Sequence, residues 1–336
     1  MKILVTGGCG YIGSHTCVEL LNSGYEVVVI DNFVNSKKEV LDKISKITGK
    51  DVTFYEGDVC DKELMISIFE KEELDAVIHF AGLKAVGESV KMPLEYYRNN
   101  LDSTLVLLRV MSRYNVKRII FSSSATVYGD SNKVPFKEEY KIGGTTNPYG
   151  TTKLFIEHIL EDLVIADPEF SVVILRYFNP IGAHKSGLIG DNPNGIPNNL
   201  MPYFTKVASG ELPYLNVFGN DYKTHDGTGV RDYIHVVDLA NGHVKAINKV
   251  INDNGINIYN LGTGIGYSVL DIVNEFEGLN NIKIPYEIKP RREGDIAECY
   301  ACVDKALNEL DFKAIYGIED MVRDSYNFYI NNKEKN

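Results

Sequence analysis

Short apolar runs punctuate the first half of the chain. Ile3-Leu4-Val5, Val27-Val28-Val29-Ile30, Ala76-Val77-Ile78, Ile119-Ile120-Phe121 and Val172-Val173-Ile174-Leu175 are rich in β-branched residues and carry no alternating polar positions. Such runs fit strands buried on both faces of a parallel sheet. The pattern predicts strands over Lys2–Thr6, Glu26–Asp31, Val52–Glu56, Ala76–Phe80, Arg118–Ser122 and Ser171–Tyr177. Between them it predicts helices over Tyr11–Ser23, Lys37–Thr48, Lys62–Glu72, Leu94–Tyr114 and Pro148–Ala166. Strand and helix in alternation mean right-handed crossovers, hence an α/β fold built on a doubly wound parallel sheet.

After Tyr177 the rhythm breaks. Residues 178–230 are rich in Pro, Gly and Asn and read as loops carried on a rigid scaffold. Elements resume at Asp232–His235, Val237–Val250, Ile256–Leu261, Leu270–Phe276 and Pro285–Lys289, with a short strand in Glu298–Val303. Ile318–Asn331 reads as a last helix and Asn332–Asn336 as a frayed end. The expectation is a first domain over 1–177, to which segments near 231–262 return, and a smaller C-terminal α/β domain over 178–336. A ligand cleft is expected between them.

The 336 residues suffice for one large domain or two smaller ones. No apolar run approaches the ~20 residues of a membrane helix. The first strand meets glycines too early for a secretory leader. No membrane association is expected, and the cytoplasm is the expected location. Net charge is −11, with no basic cluster beyond Arg291-Arg292, which argues against nucleic acid as a partner. An anionic small molecule would instead need helix N-termini, backbone amides and one or two arginines. Cys9, Cys17, Cys60, Cys299 and Cys302 are odd in number and read as free thiols. Cys299 and Cys302 have CxxC spacing, but no second ligand pair accompanies them, so no metal is expected.

Candidate chemistry gathers where predicted strands end. Gly7, Gly10 and Gly13 follow the first strand and open the first helix. Glycines there allow a tight turn, close approach of a pyrophosphate and close helix–strand packing, while the helix amides meet the phosphates. Asp31 ends the second strand 18 residues beyond Gly13, where a carboxylate meets an adenosine ribose and repels a 2′-phosphate. NAD is therefore expected rather than NADP. Asp58 suits either the adenine edge or a helix N-cap. His79 reads as a strand-end residue or simply a packed histidine.

Ser124 lies just past the fifth predicted strand. Asn147 suits a helix N-cap and Pro148 a first turn, and Tyr149 and Lys153 then share one helix face. A phenol has a pKa of ~10 and is a poor base at neutral pH. Lys153, the helix end and a nicotinamide cation would together need to supply roughly 4 kcal/mol to bring it near 7. Taken in order, these features resemble the short-chain dehydrogenase/reductase superfamily in its extended, Rossmann-type form with a sugar-nucleotide domain. The resemblance implies Tyr149 as general acid/base, Lys153 on the nicotinamide ribose and Ser124 on the substrate hydroxyl.

Further strings are similar to those of UDP-glucose 4-epimerases: Gly82–Val90, Ser122–Gly129, Leu175–Asn179, Pro197–Pro202, Gly229–His235 and Pro290–Asp295. The similarity runs from Met1 to about Tyr329. It implies interconversion of UDP-glucose and UDP-galactose by C4 oxidation, turning of the 4-keto sugar and reduction from its other face. The implied NAD contacts are Tyr11, Ile12, Asp31, Asn32, Phe33, Val34, Asn35, Ser36, Asp58, Val59, Phe80, Ala81, Gly82, Leu83, Lys84, Asn99, Ser124, Tyr149, Lys153 and Phe178. The implied UDP contacts are Asn179, Asn199, Leu200, Asn216, Val217, Phe218, Arg231, Arg292 and Asp295. Two guanidiniums can fork onto a pyrophosphate and a carboxylate can accept from ribose hydroxyls. A homodimer through the helices Leu94–Tyr114 and Pro148–Ala166 also follows from the resemblance.

Sugar-nucleotide 4,6-dehydratases carry Asp-Glu directly after the strand-end hydroxyl residue. Here Ala125-Thr126 stand there, and neither is a strong acid or base. A UDP-glucuronate-type epimerase and a silent NAD-sensing protein are the alternatives; the latter typically lacks the tyrosine–lysine pair. In the family the position of Cys299 lines the hexose pocket. A small residue there leaves room for an N-acetyl group, implying UDP-GlcNAc and UDP-GalNAc as further substrates, unless Tyr300 faces the sugar instead.

Overall fold

The computed structural model describes residues 1–130, 132–193, 197, 199–292 and 294–333. The first half runs β1 (Lys2–Thr6), α1 (Tyr11–Asn22), β2 (Glu26–Asp31), α2 (Glu39–Thr48), β3 (Thr53–Glu56), α3 (Lys62–Lys71), β4 (Ala76–His79), α4 (Val86–Lys91), α5 (Pro93–Arg113), β5 (Arg118–Ser124), α6 (Pro148–Ala166) and β6 (Ser171–Tyr177). The second half runs β7 (Asn179–Ile181), α7 (Leu200–Ala208), β8 (Leu215–Phe218), β9 (Val230–His235), α8 (Val236–Asn252), β10 (Gly255–Leu261), β11 (Gly266–Ser268), α9 (Val269–Asn280), β12 (Tyr286–Lys289), β13 (Glu298–Cys299), α10 (Asp304–Leu310) and α11 (Ile318–Asn332).

Seven parallel strands form the main sheet in the order β10-β6-β5-β4-β1-β2-β3. The unbroken apolar runs follow from burial on both faces. Ile3 and Val5 of β1 pack with Val18 and Leu239 of α1 and α8, whereas Leu4 packs on the other face with Met65, Leu107 and Ile156 of α3, α5 and α6. Strand order reverses between β1 and β4, which leaves a crevice at their carboxyl ends.

The remaining strands build smaller sheets. β9 lies between β11 and β13 and also pairs with β7, and β8 pairs with β12. Phe204, Val217, Tyr233, Phe276 and Met321 fill the core beneath α7, α9 and α11. Of the segments expected to return to the first sheet, β10 joins it beside β6 and α8 packs on α1. β9 instead belongs to the second layer.

Residues 178–230 hold more structure than their composition suggested. Met201, Phe204, Thr205 and Val207 are buried on α7, a helical stripe hidden in the sequence by Pro202 and the Asn-rich flank. The strand expected within Glu298–Val303 is only two residues long, after which Ala301 makes a single bridge to Phe136. Asn332 closes α11, and the rest of the expected frayed end, residues 334–336, lies outside the described residues. Among the described residues no helix is long and apolar enough to cross a membrane.

Candidate active site

The glycine turn is built for close packing. Gly7 adopts φ +70°, and a Cβ on Gly13 would sit 2.3 Å from the Gly7 carbonyl oxygen. The turn is held from below by Asp31, whose Oδ2 accepts from the Cys9 amide at 2.9 Å. Its Oδ1 accepts from the Phe33 amide at 2.9 Å and the Ser36 hydroxyl at 2.7 Å. Asp31 thus ties the turn to the Asn32–Ser36 loop. The adjacent Asn32 donates to Asp58 at 2.9 Å. Asp58 does not cap a helix: Asp61 caps α3, and Asp58 accepts from the Cys60 amide. Val59 packs its side chain into the core, leaving only its backbone for a ligand. Tyr11 opens α1 and donates its hydroxyl to the Gly182 carbonyl at 2.7 Å, joining the turn to the second half. An amide-lined turn at a helix N-terminus beside an oriented, unphosphorylated-ribose-type carboxylate fits a dinucleotide such as NAD.

His79 is a structural residue. Thr104 spends its proton on the Asn100 carbonyl, so it accepts from His79 Nε2 at 3.1 Å, and Thr6 donates to His79 Nδ1 at 2.8 Å. The Thr6 oxygen then accepts from the amides of Phe80 and Ala81 at 3.2 Å each. Burial lowers His79 to about 3, so the ring is neutral and this chain of bonds is fixed. The neighbour of the expected Asn99, Asn100, is absent from the sequence reading and is a structural anchor. It accepts from the Leu83 amide at 2.8 Å and donates to the Thr152 hydroxyl at 3.0 Å, fastening the Gly82–Lys84 segment to α6. Asp191 is a second omission: it faces Lys84 at 3.9 Å and accepts from Asn199 at 2.9 Å.

Tyr149, Lys153 and Ser124 converge at the carboxyl end of β5. Asn147 caps α6 by accepting from the Gly150 amide at 2.9 Å, which sets Tyr149 on the first turn. Ser124 accepts from the amide and hydroxyl of Thr126 at 3.2 and 3.0 Å, leaving its own proton free to act on the Tyr149 phenol. The buried Lys153 ammonium lies 5.8 Å from the Tyr149 ring centre. Burial lowers it to about 8, against the pull of the Glu157 charge. Burial also pushes the Tyr149 phenol up to about 12, with only Ser124 opposing. The protein's own charges therefore do not bring the phenol near neutrality. The expected activation needs the further cation that a bound nicotinamide carries.

Behind this group Ser123 donates to Glu157, which pairs with Arg176 through bonds of 3.1 and 2.7 Å. On the other side of the sheet His243 donates from Nδ1 to the Leu239 carbonyl, so its Nε2 accepts from Tyr177. His243 also packs 4.8 Å from Phe80, joining the ends of β4 and β6. Neither pair was legible in the sequence, because each joins residues from distant elements.

The small sheets bring a second group of residues together. β9 and β13 place Cys299 directly beside Arg231. Asp295 accepts from Arg292 Nε at 2.9 Å and lies 3.8 Å from Arg231 Nη2. Arg292 also covers the Phe218 ring at 4.7 Å. Val217 is buried, while Asn216 reaches Tyr203 at 3.4 Å. Arg291 is not part of this set, since Asp221 holds it at 2.7 Å. Cys299 packs against the cluster that holds Ala125 and Phe178, and the Tyr300 ring lies beside Gly266. Burial lifts the Cys299 thiol to about 12, so it is a neutral wall rather than a nucleophile. Cys302 sits apart, 3.5 Å from Asp304, and both thiols are free.

The model of the NAD dependent epimerase/dehydratase family matches residues 3–262. This chain belongs to that family. A UDP-glucose 4-epimerase of Bacillus subtilis (strain 168) is 60% identical over 332 residues, 99% of this chain and 98% of the relative. The crystal structure of a UDP-glucose 4-epimerase from Bifidobacterium longum, in complex with NAD+ and UDP, is 58% identical, with a TM-score of 0.97 and 99% of each chain covered. One from Stenotrophomonas maltophila, with bound NAD and formylated UDP-arabinopyranose, is 46% identical, with a TM-score of 0.97 and 100% of each chain covered. The family model ends before Arg292 and Cys299, whereas the likeness to these relatives spans both the main sheet and the region of the small sheets where those residues lie.

Proposed function

We propose that this chain is an NAD-dependent epimerase that interconverts UDP-glucose and UDP-galactose at C4. The observation that carries the reading is the convergence of Tyr149, Lys153 and Ser124, linked through the Ala125–Phe178–Cys299 cluster to Arg231 with Asp295 and Arg292. High identity to UDP-glucose 4-epimerases along the whole chain supports it.

Residues 1–177 with α8 and β10 form the dinucleotide-binding unit, and the remainder of 178–336 forms the sugar-nucleotide unit. NAD is held by the Gly7–Gly13 turn, Asp31 with the Asn32–Ser36 loop, Asp58 with the Val59 backbone, the Phe80–Lys84 segment, Asn99 and Phe178. When bound, NAD supplies a reversible hydride acceptor and a positive ring beside the phenol. Tyr149 takes the proton of the sugar 4-hydroxyl in one half of the reaction and returns one in the other. Ser124 donates to the reacting oxygen's partner and Thr126 keeps it oriented. Lys153 adds positive charge close to Tyr149 while anchored on the main chain.

Inversion requires the hexose to present both faces to one site. The chain meets this by anchoring the nucleotide and leaving the sugar loose. Arg231 and Arg292 fork onto the diphosphate, Asp295 accepts from the ribose, and Asn179, Asn199, Leu200 and Asn216–Phe218 flank the base end. Around the hexose stand Ala125, Phe178 and Cys299, which offer few hydrogen bonds. The small thiol of Cys299 admits an N-acetyl group, so UDP-GlcNAc and UDP-GalNAc are also substrates. We place the enzyme in the cytoplasm, in keeping with its five free thiols. It acts as a homodimer through α5 and α6, on which Leu94, Leu105 and Phe155 are exposed.

Purified protein incubated with UDP-galactose, with no NAD added, should form UDP-glucose. NAD should be released on denaturation. No conversion even with added NAD would remove the reading.

A further inference from the structure

The sheet face under α6 changes character at its carboxyl end. Ile119 and Phe121 of β5 and Val172 and Ile174 of β6 form an apolar layer with Ile156 and Leu160 of α6. The next residues on the same strand faces are Ser123 and Arg176, which are register partners. Both reach one carboxylate of α6. Ser123 donates to Glu157 Oε1, and Arg176 grips both oxygens, from Nε at 3.1 Å and from Nη2 at 2.7 Å. Arg176 Nη1 donates to the Tyr128 hydroxyl at 3.0 Å and to the Glu138 carbonyl at 3.2 Å, so the guanidinium is held from behind as well. Glu157 is 0% and Arg176 1% exposed, which makes this a buried ion pair at the edge of the Tyr149–Lys153 site.

Stability alone does not call for such a pair. Taking two charges out of water costs about what their attraction returns, and apolar residues of the same volume often serve as well or better. What a forked pair supplies is direction. Tyr149, Lys153 and Glu157 follow at four-residue intervals along α6 and share one side of it. Lys153 donates to the Ser122 carbonyl at 2.6 Å, and Glu157 accepts from the next residue, Ser123. Two successive turns of the helix are thus pinned to two successive residues of β5, immediately before Ser124. The Glu157 carboxylate also stands one helix turn from the Lys153 ammonium. Burial pulls that ammonium down to about 8, and the Glu157 charge opposes the fall. Among the other ionisable groups on the elements packed around it, His79 of β4 is neutral, and burial keeps Tyr96, Tyr128 and Tyr177 protonated. Arg176 is committed to Glu157, and Glu88 of α4 and the charged residues of α5 are exposed.

We propose that Glu157, held by Ser123 and Arg176, is a positioning residue for the Tyr149–Lys153 pair. It fixes the height of α6 on β5 and keeps a negative charge one turn behind the Lys153 ammonium. The proposal rests on the reading of this centre as the epimerase site.

Two variants test it. Glu157→Met with Arg176→Met removes both charges at nearly constant volume and strands neither. Ser123→Ala keeps both charges and loosens the grip on the carboxylate. For each NAD-loaded protein, kcat and KM for UDP-galactose are measured against pH, together with NAD content and thermal midpoint. In the double variant kcat at neutral pH should fall about tenfold and the alkaline limb of its pH profile should move down by about one unit. KM, NAD content and thermal midpoint should stay near wild type. In Ser123→Ala kcat should fall about threefold with the alkaline limb unmoved, because both charges remain. A folded double variant with wild-type kcat and pH profile overturns the proposal, and so does a loss of kcat that only tracks lost NAD or a lowered midpoint. If the double variant does not fold, wild-type kcat in Ser123→Ala overturns it equally. A wild-type protein that does not convert UDP-galactose overturns the epimerase reading instead, which tells the two failures apart.

Discussion

Lys153 donates its ammonium proton to the main-chain carbonyl of Ser122 at 2.6 Å, two positions before Ser124, which ends β5. The lysine is thereby fixed 4.8 Å from the Phe121 ring centre and beside the Tyr149 phenol. The sheet itself thus holds one buried cation in place. Phenol and ammonium share one burial, which raises the first to about 12 and lowers the second to about 8.

Removing the proton carrier should stop chemistry without emptying the site. Tyr149→Phe is expected to lower kcat by roughly 10²–10⁴-fold while UDP affinity stays within about twofold of wild type. Lys153→Met should lower kcat too. Because a neutral lysine no longer favours the phenolate, wild-type kcat should also lose the lysine's help above about pH 8. A Tyr149→Phe protein that retains most of its turnover would show that another group carries the proton.

The close approach of α1 to the glycine turn gives a second expectation. Gly13→Ala places a methyl 2.3 Å from the Gly7 carbonyl oxygen and 2.9 Å from the Gly8 Cα, both backbone atoms that no rotamer change can move. The variant should lose about 1–3 kcal/mol of stability and release NAD. A thermal midpoint and a NAD content equal to wild type would contradict this packing.

The proposed place of Cys299 beside the hexose predicts a difference between two substrate pairs. Cys299→Tyr should abolish turnover of UDP-GlcNAc and leave UDP-galactose turnover largely intact, because the ring would fill the space beside Ala125 and Phe178. Steady-state rates on both pairs decide it. Equal retention of N-acetylated turnover would mean that the wall lies elsewhere.

Exposed Phe155 on α6, 6.1 Å from the Tyr97 ring of α5, provides a test of the dimer. Sedimentation should give a dimer for the wild type and a monomer for Phe155→Glu. A wild-type monomer at micromolar concentration would dismiss that surface as the interface.

Acid should destabilise the fold through its buried histidines. Burial holds His15 and His79 at about 3 and His243 at about 4, whereas the unfolded chain binds these protons near 6.5. The unfolded state therefore binds more protons below pH 6.5. The stabilisation is complete above that pH and is lost as pH falls toward the folded values. Three groups acting together give a slope of ~4 kcal/mol per pH unit at most. Asp232 and Asp238, raised mainly by burial, act in the opposite sense just above pH 3.8. Urea midpoints at pH 7.5, 6 and 5 should fall steadily; a flat profile would refute the neutral, buried rings.

Much of the first half was legible because its signals are local. Apolar runs specify strands buried on both faces, and Gly7–Gly13, Asp31 and Asn147–Lys153 owe their meaning to neighbours a few positions away. β2, α6 and β6 have the expected bounds; in β2 and α6 a charged residue or a cap marks each end. α7 and α10 were hidden, because their faces become apolar faces only against α11 and α8.

By itself the sequence determined the parallel sheet, the dinucleotide turn, the tyrosine–lysine pair and the family to which they belong. Only the tertiary structure decided that Asp61 rather than Asp58 caps α3, that Asn100 fastens the Gly82–Lys84 segment to α6, and that Cys299 packs against the cluster holding Ala125. It alone brought Arg231, Arg292 and Asp295 together. The physical reason is range. Helix caps, glycine turns and alternation act over a few residues, whereas hydrogen-bond satisfaction and burial depend on which distant segments the closed fold makes neighbours.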